Sequence, residues 1–437
     1  MATATLSLPA VGSFTAEAFS AHLATQSQAP AWWVDRKKAA HATFLALPMP
    51  RRTDEAWRFS SYAKLALDGY TAGQPASAAA AAELLTVKSA AKLTFRNGAL
   101  AEEQPLSAEL QAKGVVVIPL SRAILTHSEL LKAHFMAQPQ KFGPEKFASL
   151  HIAFVTDGAF IYVPPGVVVE EPIVIAQRAA GAGSAVFPHT LVIAEQNSAV
   201  TVVDLFSSED ETAHFACGAN DLYGGHGSKL TYVAAQAWSK STLSFQFNST
   251  VVRRDARVQS LNVHLGAKQA RHESLSQMQA PGGVSEMLAL TIARGSQEFD
   301  QRTLQIHQAP NTKSDLLYKN ALLDQAHTIF SGLIVVDPDA QKTDAYQSNR
   351  NLMLSDDAEA NALPGLEIQA NDVRCTHGAT SSRIDPEQEF YLESRGINRP
   401  LAEELLIFGF FEEVLKRLES EDIQEALRGL IRSRFGK

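Results

Sequence analysis

The sequence predicts a mainly β protein, a parallel β-helix core flanked by helical regions at both ends. Three observations predict it. Between Ile152 and Thr380 the chain is a series of short β-prone runs, among them Phe160–Val163, Pro172–Ile175, Leu191–Ile193, Ala199–Val203, Lys229–Val233 and Leu333–Val336. Small polar turn clusters punctuate these runs at a fixed step: Gln196–Ser198, Gly225–Gly227 and Arg254–Ala256 lie 29 residues apart, and Gly295 and Asp324 repeat the interval. No segment between runs is long enough to supply the helix of a βαβ crossover. A fixed period of this size marks a solenoid, in which each coil buries its apolar face on the next. A β-sandwich is the rival, but it favours tight hairpin signals; the only Asn-Gly, Asn97-Gly98, precedes the region. The chain divides into 1–150, mainly helical with a linker; 151–384, the β-helix; and 385–437, helical.

Residues 1 to about 65 read as helical. Ser13 or Thr15 can cap a segment carrying Phe14, Ala18, Phe19 and Leu23 at near-helical spacing. A second helix is expected from Asp35 to Leu47, closed by Pro48 and Pro50. Trp32, Trp33 and Trp57 gather here, and packing in a helical cap is preferred to a docking surface. Gly73–Ala80 reads as a linker. Gly114–Pro119 is one short strand, and Ser128–Met136 a helix with Leu130, Leu131 and Phe135 on one face. The flanking His127 and His134 read as solvated. At the far end Asp385 is an N-cap with Pro386 at the first position and Gln388 at the third. Gly396 closes that helix. The next begins near Pro400 and carries Leu401, Leu405, Leu406, Phe408, Phe410, Phe411, Val414, Leu415 and Leu418. The last starts at Ser420, with acids in its first turn and Arg428, Arg432 and Arg434 towards its end, an order that complements the helix dipole.

A net charge of −8, with no basic run of five or more, argues against nucleic acid as a partner. Two cysteines in 437 residues exclude a disulfide framework and suit a reducing compartment. Met1–Ala10 lacks the charged and continuous apolar parts of a signal peptide. No run of 18 apolar residues occurs, so a cytoplasmic protein without membrane association is expected.

Chemistry concentrates in Leu366–Thr380. Residues two apart in a strand share a face, so Cys375 and His377 project together while Arg374 and Thr376 point the other way. A thiolate beside an imidazole suits borderline metals and iron–sulfur chemistry. A structural zinc or a cluster takes about four ligands, so the pair is incomplete. A lone cysteine is equally an ordinary small buried residue, and spacing leaves both readings open. No phosphate loop is present: Gly224–Lys229 lacks the required order. Gly-x-Ser-x-Gly, His-Glu-x-x-His and Cys-x-x-Cys are also missing. His264, His272, His307 and His327 read as turn or packing residues, and Cys217 as a core thiol.

Asn351–Ala358, Leu366–Ile368, Asn371–Thr380 and Phe390–Ile397, in fixed order, resemble the C-terminal signature of the SufB/SufD family of iron–sulfur cluster assembly scaffolds. The Cys-Thr-His-Gly-Ala-Thr form is similar to the SufD branch. Arg51–Phe59 resembles the family's N-terminal motif, and Asp157-Gly158, Val163–Gly166 and Pro172-Ile173 resemble the entry to its core. Ser381-Ser382 depart from the pattern, which has a small apolar residue and Gly, so the turn expected there is not carried over. The resemblance implies a right-handed parallel β-helix and a non-enzymatic scaffold that pairs with a SufB-like scaffold and a SufC-like ABC ATPase. A homodimer in isolation stays open. ATP would be hydrolysed by the ATPase alone. The resemblance further implies a transient cluster, none tightly bound, at the interface with the scaffold partner. Of the pair, His377 ranks above Cys375 as ligand, because a neutral imidazole binds metal without first losing a thiol proton. The resemblance also implies ATPase docking on the helical tail, at Leu405, Leu406, Phe408, Phe410 and Phe411, an apolar run too continuous for a small helical cap to bury. The rival function is a polysaccharide-acting β-helix enzyme using Asp337, Asp339, Asp356 and Asp357 with Arg350. Those acids fall at turn positions, where Asp favours local capping, and such enzymes are usually secreted.

Overall fold

The period in the sequence matches the step of several coils, while others are shorter, as at Leu243↔Gln269, or longer, as at His327↔Glu359. The computed structural model describes residues 11–51, 53–61, 65–73, 83–139, 142–143 and 145–435. In the solenoid, successive strands alternate between two sheets, and each pairs in parallel with the strand one coil further on. Gln269–Met278 pairs with Glu298–His307, which pairs with His327–Val336, each 29 residues on. On the opposite sheet Val284–Ala293 pairs with Lys313–Leu322 at the same step. Strand outweighs helix, 41% to 23%, in a β-solenoid of about eight turns with helices at both ends.

Corner residues explain the punctuation. Asn197, Gly227, Asp255, Gly282 and Asn311 occupy successive coils of one corner, all at positive φ. Asn, Asp and Gly tolerate that conformation best. Their amides step from coil to coil: Asn197 N–H donates to His226 O (2.7 Å), Gly227 N–H to Arg254 O (2.8 Å) and Asp255 N–H to Pro281 O (3.0 Å). At Gly282 any Cβ would collide with Asp255 Oδ1. Gly295 and Asp324, expected to continue this series, stand at the opposite corner, where Gly295 N–H donates to Asp324 Oδ2 (2.8 Å). The pitch is shared, but the edge differs.

The N-terminal helices are α1 (Ala16–Ala24), α2 (Ala31–Ala46), α3 (Ala108–Ala112), α4 (Leu120–Thr126), α5 (Ser128–His134) and α6 (Glu145–Phe154). Thr15 caps α1, accepting from Ala18 N–H. Helix α2 starts four residues before the expected Asp35, because Pro30 rather than the acid stands at its N-cap. The cap's apolar cluster joins the outer face of one sheet, hereafter the cap-side sheet, through Leu191, Ile193, Phe215, Cys217, Phe245 and Phe247. Trp33 and Trp57 are buried there, and the Arg271 guanidinium lies 3.9 Å over the Trp57 ring. Packing is therefore what these tryptophans do. The region is less helical than expected. Ala91–Arg96 and Ala99–Gln104 form a hairpin that joins the other sheet at Ile173–Ala179. Val116–Pro119 pairs antiparallel with Ala159–Val163 on the cap-side sheet. Residue 150 falls inside α6. His127 and His134 are half-buried instead of solvated, and His134 meets Tyr223 edge-on at 4.5 Å. Of the linker 73–80, all but Gly73 lies outside the described residues.

The other, tail-side sheet carries α7 (Pro386–Ser394), α8 (Arg399–Leu415) and α9 (Glu421–Arg432). Their starts follow the capping residues: Asp385 accepts from Glu387 N–H (2.9 Å) and Ser420 from Ile423 N–H (3.3 Å). Gly396 ends α7 at φ 84°. Ile407, Phe411, Val414, Leu415, Leu427 and Ile431 bury against Val233, Leu261, Val263, Leu288, Leu290 and Leu317. Lys319 ties α8 down, donating to Phe410 O (2.6 Å) and pairing with Glu413 (2.6 Å). Among the described residues no helix is long and apolar enough to cross a membrane.

Candidate functional site

In parallel sheets every residue stacks over its register partner, so the last coil continues rows set by earlier ones. Arg374–Arg383 pairs only with Asp344–Met353, and Glu359–Ile368 only with His327–Val336. Both ten-residue strands therefore end their sheets, and one side of each ladder has no partner strand among the described residues. Pro364 lies in the second of them, a position proline accepts only at an edge or bulge.

Cys375 stands over Ala345, and His377 over Gln347. Both lower residues are buried inside the solenoid, so the cysteine and histidine share the inward row, as strand alternation requires. Their surroundings differ. Cys375 is half-buried with Leu366 and Val373 against Ile334, Val336, Ala340, Ala345 and Ala370. Burial pushes its thiol above the ordinary value; the Asp344 carboxylate adds to this, against a hydrogen bond from the Ala345 backbone. His377 is exposed. A thiol that resists ionisation is the weaker candidate ligand of the two. Among the described residues no group of three or more His, Cys, Asp or Glu side chains can hold a metal ion. The donor types fit a cluster, but the pair supplies half of a site.

On α8, Leu405 is 44% exposed, while Leu406, Phe408 and Phe410 are half-buried. Phe408 meets Phe435 at 6.1 Å, and Lys319 Nζ sits 4.6 Å over Phe410. Phe411 departs from the expected docking set: it faces the sheet with Ile407 and Val414 and is fully buried. Sequence reasoning passed over Phe390 and Tyr391 as surface residues. They are 70% and 57% exposed on α7, which buries no residue of its own. The signal was an adjacent aromatic pair on a helix without an apolar period. Arg399 links α7 to α8 through Glu389 (2.8 Å).

The acids of the polysaccharide reading do not converge. Asp337 and Asp339 lie at one corner, Asp356 and Asp357 at the other, and Arg350 pairs with Glu413 (3.2 Å). Inside the solenoid His264 and His272 stack at 3.8 Å, and His307 sits between the Thr312 (2.7 Å) and Ser314 (2.8 Å) hydroxyls. His327 pairs with Glu298 (3.4 Å), which also accepts from Ser61 N–H (2.9 Å). Cys217 is buried, donating to Phe147 O (3.4 Å), and burial pushes its thiol well up. A buried chain beside it had no local signal in the sequence. His151 Nδ1 meets Cys217 O (2.7 Å), its Nε2 meets His189 Nδ1 (3.0 Å), and His189 Nε2 lies 3.5 Å from Asp221 Oδ2. It latches α6 to the cap-side sheet.

The family model "SUF system FeS cluster assembly, SufBD core domain" matches residues 175–410, and "SufBD protein N-terminal region" matches 19–175. This chain belongs to the SufBD family. It is 30% identical to the iron–sulfur cluster assembly protein SufD of Bacillus subtilis, over 92% of this chain and 94% of that one. A SufBD family protein of Synechocystis is 29% identical over 92% of this chain and 91% of its own. SufD of Escherichia coli is 32% identical over 60% of this chain and 62% of its own. The SufBD core match spans the last coil, α7 and most of α8, so both candidate surfaces belong to the family's core domain. Ser381 and Ser382, where the family pattern suggested a turn, lie within the edge strand, and Ser381 Oγ accepts from Asn351 Nδ2 (3.3 Å).

Proposed function

We propose that this SufBD family protein is a non-catalytic cytoplasmic scaffold that holds one half of a transient iron–sulfur cluster site. The observation that carries this reading is the two ten-residue edge strands, each open on one side among the described residues, with Cys375 and His377 on the inward row of one of them. An open parallel edge takes another chain's strands by backbone pairing. A SufB-like partner with a matching last coil brings its own ligands opposite His377 and Cys375. His377 is the principal ligand, because a neutral imidazole binds metal without first losing a thiol proton. Two ligands from each chain keep the cluster labile, as delivery needs. A SufC-like ATPase binds the helical tail and hydrolyses the ATP.

The test is His377→Ala, Cys375→Ala and the double variant, each co-expressed with both partners. The complex assembles in every case, while bound iron and sulfide fall, most where His377 is missing. A double variant that loads as much cluster as wild type makes the site structural and rejects the reading.

A further inference from the structure

We propose that Gln347 is a positioning residue for His377: its buried amide oxygen accepts the imidazole N–H and so sets which ring nitrogen faces outward. This rests on His377 acting as a ligand.

The register places His377 one rung above Gln347 on the inward row, and adjacent rungs are about 4.8 Å apart. Gln347 is fully buried. Its Nε2 donates to Gly332 O (3.3 Å) on the opposite sheet, while its Oε1 has no partner among the described residues. Gly332 makes the space for that oxygen, since a Cβ at 332 would collide with Oε1. A buried carbonyl oxygen left unpaired is costly, so a donor that can reach it is favoured. The neighbouring rungs do not offer the same acceptor. Asn349 Oδ1 already accepts from Asn351 Nδ2 (2.9 Å), which also reaches Ser381 Oγ (3.3 Å). Beneath Cys375 stands Ala345, which has no polar side chain to offer. The free acceptor therefore sits under the histidine.

A neutral imidazole carries one N–H and one lone pair. A metal takes the lone pair, and an acceptor on the other nitrogen decides which tautomer presents it. A His377 ring turned inward over the Gly332 slot gives its N–H to Gln347 Oε1 and leaves the other nitrogen for the cluster.

The experiment uses the full-length chain without cluster, labelled with ¹⁵N-histidine, and reads the ring tautomers from long-range ¹H–¹⁵N spectra. His377→Ala assigns the His377 signals. Wild type shows a single His377 tautomer, and Gln347→Leu turns it into a mixture. Gly332→Ala, whose Cβ would crowd the amide oxygen and the Phe330 ring while residue 347 stays Gln, does the same. Gln347→Glu keeps an acceptor in place and keeps the single tautomer. A mixture in wild type, or a tautomer unmoved by both Gln347→Leu and Gly332→Ala, overturns the inference. In the assembled complex Gln347→Leu weakens cluster binding about tenfold, and Gln347→Glu restores it. If the tautomer responds while His377→Ala loads normally, the positioning role stands and the ligand reading falls.

Discussion

Titration at single residues should govern how this protein responds to acid. Burial lowers His22, His151, His272 and His307 to about 3, 4, 3 and 3; at His22 and His151 the Lys37 charge adds to it. His189 and His264 are lowered by burial too, each with a second histidine beside it. In the unfolded chain these groups titrate near pH ~6.5. Below that the unfolded chain takes up protons that the fold refuses, so this stability is full above pH ~6.5 and is lost as pH falls towards the folded values. Asp204 and Asp221 act oppositely: burial raises both to about 7, so their contribution is full below pH ~4 and lost as pH rises to about 7. The histidines outnumber the acids. Each unbalanced site contributes a slope of about 1.4 kcal/mol per pH unit. The melting temperature should therefore fall from pH 7 to pH 4.5. Asp221→Asn should raise it more at pH 8 than at pH 5, steepening the acid loss, and His272→Gln should flatten it. A flat profile in wild type contradicts this account. His264, His272 and His307 read as packing residues in the sequence, but the other groups gave no sign there, because burial is set by segments distant in the chain: His151 and His189 are 38 residues apart and touch. Cys375 and His377 were legible because strand alternation is a local rule.

At the scale of elements, caps and corners were readable wherever one residue type satisfies one backbone need. Asp385, Gly396 and Ser420 stand where their chemistry placed them. The proposed docking face was less so. The run Leu405–Phe411 names an apolar helix but not which side meets the sheet, and the sheet takes Ile407 and Phe411. What remains outward is Leu405 and Leu401, with Phe390 and Tyr391 on α7. Leu405→Asp and Tyr391→Asp should each weaken capture of the ATPase at least tenfold in pull-down titrations. The far-ultraviolet circular dichroism of both variants should match wild type, since neither side chain is buried. Undiminished capture by both counts against this docking face.

For the whole molecule, stacked coils and two covered sheet faces supply the apolar burial that holds the solenoid together. Its main apolar cluster runs from Ala91 to Ala326 across successive coils. Chelator treatment should therefore leave the β signal and the melting temperature unchanged; a large loss would mean a structural metal, because such sites unfold when stripped. The sequence by itself determined the repeating architecture, a coil step near the 29 residues seen at Gln269↔Glu298, the helices at both ends and the shared face of Cys375 and His377; the register lets single coils shorten (Leu243↔Gln269) or lengthen (His327↔Glu359). Each of these follows from periodicity, capping or alternation, which act over a few residues or repeat from coil to coil. Only the tertiary structure decided which corner each turn occupies and that strands from the first 120 residues extend both sheets. It alone also put Arg271 against Trp57 and a free amide oxygen beneath the register position of His377. Those contacts join residues one coil or more apart, and no local propensity encodes which rung lies above which.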